Sequence, residues 1–89
     1  MMIQTSVTFG KLQATVYDFE EAGDKLPMHN HTEQDVHITI INKGSFKAHG
    51  DGWEMELKQG QIANWQAGQA HELIALEPNS RFVNIIKGS

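Results

Sequence analysis

The 89-residue chain has no cysteine, two prolines and a single arginine, Arg81. Without cysteine there is no disulfide, no thiolate metal site and no thiol nucleophile. Arg81 and the scattered lysines form no basic stripe, and acidic residues outnumber basic ones to give a net charge of −4. That balance argues against a nucleic-acid surface. Long apolar runs are missing too. The longest, Ile38-Thr39-Ile40-Ile41, is far short of the roughly 20 residues that span a bilayer. Residues 1–5 lack the basic segment and apolar core of a signal peptide, so the expectation is a cytoplasmic protein. No window repeats apolar residues at the 3.6-residue helical period.

What the chain does have is short segments rich in β-branched and aromatic residues, at 16–19, 37–41, 53–57, 62–65, 71–76 and 81–86. Glycine, asparagine and proline separate them, and Gly50-Asp51-Gly52 is the clearest hairpin tip. About seven or eight strands with polar turns and no internal boundary predict a single all-β domain over 1–89, a sandwich or barrel. In 53–57, Trp53, Met55 and Leu57 share one face and Glu54 and Glu56 the other. The segment 37–41 carries bulky groups at both parities, so it needs cover on both sides. Ile38 and Ile40 face away from His37, which predicts a homodimer interface there.

Five histidines stand out in so short a chain. His29 and His31, two apart in a segment kept extended by Pro27, project from one face and can converge on one ion at about 2.0–2.2 Å. An isolated H-x-H is a weak signal, more often two solvated side chains on a polar loop than a metal site. His49, at the hairpin tip, reads as solvated. His37 and His71 each open a strand.

Together these residues resemble the two motifs of the cupin family. Gly23 precedes His29-Asn30-His31 by five residues, and His37, at the place of the family's glutamate, is followed after six residues by Gly44. Gly60 stands five residues before Gln66-Ala67-Gly68, and His71 and then Ala75 complete the second motif. The resemblance runs from 23 to 75 and implies an antiparallel double-stranded β-helix, a jelly-roll β-barrel. It departs from the family pattern at Gln66 for proline, at Ala75 for asparagine, and at His37 for glutamate.

The resemblance further implies that His29, His31, His37 and His71 bind one divalent transition metal ion, with Fe, Mn, Ni, Zn and Cu all open. Glu33 and Asp35 are the alternatives to His37, which alone keeps the spacing to Gly44. Four neutral imidazoles leave the centre at +2, which favours an anionic or enolising small molecule. Inward-facing Thr39, Ile41, Phe46, Trp65 and Leu73 either line a small-molecule pocket or fill the barrel. Two functions follow: a metal-dependent enzyme (dioxygenase, isomerase, lyase or cyclase) on a small organic substrate, or a noncatalytic module that holds a small ligand.

Overall fold

Strand alternation dominates the chain, and the computed structural model follows it, describing residues 2–29, 34–66 and 69–88, with the backbone alone at 29, 34 and 35. Among the described residues nine strands run in order: β1 (Met2–Phe9), β2 (Leu12–Phe19), β3 (Lys25–His29), β4 (Gln34–Lys43), β5 (Ser45–Gly50), β6 (Trp53–Lys58), β7 (Ile62–Asn64), β8 (His71–Ala75) and β9 (Ser80–Gly88). They form a five-stranded sheet, β1-β2-β9-β4-β7, facing a four-stranded sheet, β3-β8-β5-β6. Every pairing is antiparallel. No described helix is long and apolar enough to cross a membrane.

The expected segments each lie in or beside a strand, and β5 and β6 meet at the expected hairpin tip. The sequence reading missed β1. Its alternation, Ile3, Thr5, Val7 and Phe9 on one side and Gln4, Ser6 and Thr8 on the other, is visible in the sequence. Its register with β2 directs the polar side toward the barrel, as the Ser6–Thr15 hydroxyl contact at 2.9 Å shows.

Between the sheets lies a core of Phe19, Ile41, Phe46, Ala48, Leu57, Trp65, Leu73, Ala75 and Phe82. Phe19 and Phe82 from the five-stranded sheet meet Phe46 from the other, with ring centres 5.1–5.4 Å apart. Two of these contacts are edge-to-face, an arrangement aromatic quadrupoles favour. This cluster fills the barrel end near the Gly44 turn. The opposite end is left to histidine and tryptophan. One member of the expected apolar face in β6 departs from it: Met55 is exposed, because β6 is the edge of its sheet.

Candidate metal centre

His71 opens β8 and faces inward at the same parity as Leu73 and Ala75, and it is 1% exposed. His37 faces inward from β4, in the other sheet, at 5%. Closure of the barrel brings these two rings, 34 residues apart in sequence, to a centroid separation of 5.2 Å. Two imidazoles that share an ion through nitrogen at about 2.0–2.1 Å stand with ring centres roughly 4.5–5.5 Å apart, so the spacing fits.

The tautomer of His71 is fixed by its neighbour. Its Nδ1 lies 3.0 Å from the Gln69 carbonyl oxygen, and a carbonyl only accepts, so Nδ1–H donates. The neutral ring then carries its lone pair on Nε2, which is buried in the barrel. A hydrogen bond from the far nitrogen to a backbone carbonyl is how metal-binding histidines are oriented.

Of the other expected ligands, His29 has its backbone directly opposite His71 in the β3–β8 ladder. Its side chain, His31, Glu33 and the Asp35 side chain lie outside the described residues. Among the described residues no three His, Asp or Glu side chains gather. The described part of the centre is therefore the His37–His71 pair, with the His29 backbone beside it.

Tryptophan walls this end. The Trp65 indole stacks on His71 with centroids 4.4 Å apart and planes 13° from parallel, and Trp53 stands 5.8 Å beyond it. Trp65 is held twice: its backbone N–H donates to the His37 carbonyl at 2.9 Å, and its Nε1–H to Thr39 Oγ1 at 2.8 Å. The Thr39 hydroxyl in turn donates to Asn84 Oδ1 at 2.6 Å. Gly50 makes room, because a Cβ there would lie 2.4 Å from Trp53 Nε1 and 2.6 Å from the Ala70 carbonyl oxygen.

Thr39, Ile41, Phe46, Trp65 and Leu73 all point inward and are buried. Ile41, Phe46, Leu73 and Trp65 all belong to the core, and Trp65 together with Thr39 also forms the wall beside the histidines. A cleft of about 490 Å³ opens at the Gly44 end between Lys43, Ser45, Lys58, Glu77 and Asn79. It holds no imidazole, so the candidate centre is the histidine end.

Sequence reasoning misplaced His49 and missed two other groups. His49 is half-buried, with Nε2 2.9 Å from Glu72 Oε1, because β5 and β8 register these residues as a cross-strand pair. Glu72 also accepts the Met28 backbone N–H at 3.2 Å, and the bond from His49 holds its carboxyl below the usual glutamate range. The signal for Asn84 was present: it shares parity with Phe82 and stands alone as a polar residue in the run 82–86, the mark of a buried amide with a partner.

No family model matches this sequence, and no curated protein is similar to it. Solved structures are. KdgF from Halomonas sp. superposes with a TM-score of 0.87 at 21% identity, over 99% of this chain and 81% of that one. A cupin superfamily protein from Desulfitobacterium hafniense DCB-2 gives 0.88 at 11% identity, over 100% and 79%. This chain has the cupin fold. A third structure, of a Klebsiella pneumoniae protein with a double-stranded β-helix domain, gives 0.86 at 23% identity over 98% and 76%. Of the four histidines expected as ligands, His37 and His71 have described side chains, and Gly44 makes the turn between β4 and β5.

Proposed function

We propose that residues 1–89 act as one cupin domain that binds a divalent transition metal ion through His29, His31, His37 and His71 and works on a small organic substrate. The observation that carries this is the buried His37–His71 pair, one ring from each sheet, with the lone pair of His71 set on Nε2 by the Gln69 carbonyl. Imidazole donors suit Fe, Ni, Zn or Cu, and Mn stays open by resemblance to the family. Bound there, such an ion supplies Lewis-acid polarisation of a substrate oxygen or activation of water. The chain's own part is to orient and to exclude water: Trp65 and Trp53 wall the imidazoles, and Thr39 pins Trp65. We further expect the protein to be a cytoplasmic homodimer.

The alternative reading is a binder without catalysis, a module that holds a small ligand in the same barrel end. Both readings require the metal, so the first experiment is elemental analysis of untagged protein. We expect close to one equivalent of one transition metal in the wild type and in His49→Ala, and strong depletion in His37→Ala and His71→Ala. Equal metal content in all four would sink the metal centre. A substrate screen on the loaded protein then separates turnover from simple binding.

A further inference from the structure

Among the described residues β3 is an edge of the four-stranded sheet, with β8 as its one neighbour, so a single ladder sets its register. That ladder is irregular. Lys25 stands opposite Ile74 and Leu26 opposite Leu73, but the next directly opposed pair is His29 and His71. Two residues of β3, Pro27 and Met28, therefore face one residue of β8, Glu72, which makes a β-bulge. In an unbroken ladder Met28 would stand opposite His71, and residue 29 would fall at the other parity. The bulge puts residue 29 there instead. Both bulged residues are exposed, Met28 at 46%.

Two features of the sequence produce this break. Proline has no N–H to give a ladder, so Pro27 weakens the pairing at this point. The next amide, Met28 N–H, donates to Glu72 Oε2 at 3.2 Å. The other carboxylate oxygen, Oε1, lies 2.9 Å from Nε2 of His49, the residue directly opposite Glu72 on β5. An ionised carboxylate only accepts, so both neighbours donate to it. The Glu72 side chain thus links three adjacent strands. Its parity is opposite to that of His71, Leu73 and Ala75, which are buried in the barrel. Glu72 works from the outer face of the sheet and reaches the barrel interior only through the backbone.

We propose that Glu72 is a positioning residue for the metal centre: its carboxylate holds the β3 bulge that sets residue 29 opposite His71, and so brings His29 to the ion. The role rests on the ligand set proposed above. Bulges beside functional sites re-aim side chains, and groups behind a ligand tune metal affinity without touching the metal. Pro27 opens the ladder, and Glu72 fixes the register in which it closes again. His49 steadies the far side of the carboxylate, but the Met28 amide bonds the other oxygen and does not depend on it.

The probe is cobalt(II), titrated into metal-free protein and followed by its visible absorption, with circular dichroism to show that each variant is folded. Glu72→Leu removes the acceptor and should bind cobalt at least about tenfold more weakly than the wild type, with an altered spectrum. Glu72→Gln keeps an oxygen that can accept from Met28, and it should bind cobalt like the wild type. His49→Ala keeps the Met28 bond and should do the same. Because Glu72 acts through His29, adding Glu72→Leu to His29→Ala should cost no further affinity. A wild type that takes up no cobalt overturns the metal centre itself. Equal affinity in the wild type and Glu72→Leu, or a full further loss on top of His29→Ala, overturns the role of Glu72 alone and leaves the register to Pro27. A loss in Glu72→Gln as large as in Glu72→Leu overturns the hydrogen bond as its cause. If Glu72→Leu does not fold, hydrogen exchange in the metal-free wild type decides. A protected Met28 amide upholds the clamp, and one that exchanges as fast as in an unstructured chain overturns it.

Discussion

At the residue scale, the candidate centre is held by side chains that never need to touch a ligand. Asn84 accepts from Thr39, Thr39 accepts from Trp65, and Trp65 lies flat on His71. Asn84→Leu keeps much of the volume but leaves the fully buried Thr39 hydroxyl without an acceptor. The expected loss is about 1–3 kcal/mol of stability by urea denaturation at fixed protein concentration, with a shifted tryptophan emission. An unchanged midpoint would mean that the hydroxyl finds another acceptor. Glu72 offers a second test, because it ties β3, β8 and β5 together through Met28 and His49. A carboxyl whose folded pKa is lowered stabilises the fold above its unfolded value of about 4.3, and that contribution is lost as pH falls through the lowered value. Glu72→Gln should therefore be less stable than wild type at neutral pH, and the gap should close in acid. Thermal melts from about pH 7 down to about pH 3 cover the window; a gap that persists in acid would show that the carboxylate charge is not its source.

At the scale of elements, the tightest constraint is the turn that carries the chain from the five-stranded to the four-stranded sheet. Gly44 sits there at φ 76°, and a Cβ on it would lie 2.2 Å from Ser80 Oγ and 3.1 Å from Ser80 Cα. The hydroxyl can swing aside only by giving up its bond to the Glu77 carbonyl, and the backbone contact stays. Positive φ and the clash together should cost Gly44→Ala about 3 kcal/mol, read as a lowered urea midpoint with unchanged slope. The turn also sets the register that places Phe46 against Phe82, so a loosened turn should show first in the aromatic core. Near-ultraviolet circular dichroism reports that packing, and a wild-type spectrum with wild-type stability would contradict this account.

For the whole molecule, one strand joins the candidate metal centre to the expected homodimer. β4 carries His37 and Thr39 on its inner side and Ile38 and Ile40 on its outer side. Cover on the outer side braces the strand that positions the inner one. If two copies share this face, folding is linked to association, and the melting temperature should rise with protein concentration. Ile38→Lys combined with Ile40→Lys should remove that dependence. A melting temperature independent of concentration in the wild type would speak against a dimer that forms on folding.

The sequence by itself determined the strand content, the hairpin at Gly50-Asp51-Gly52, the inward parity of His37, Thr39, Ile41, Phe46 and Leu73, and the motif spacing that pointed to the cupin fold. These are local properties: a period of two and a turn residue are readable wherever they occur. Tertiary structure decided the rest. The motif resemblance had put His37 and His71 together, but the two rings meet only because they lie on opposite sheets of one barrel, which no strand periodicity could show. His49 looked solvated because a hairpin tip usually is, and only the register of β5 with β8 set it against Glu72. β1 was legible as an alternation, but which of its sides faces the barrel depends on pairing with β2. A one-residue change of register would exchange them. The apolar outer face of the five-stranded sheet follows from that pairing, since rows such as Val7, Ala14, Ile85 and Ile38 exist only when four strands lie side by side.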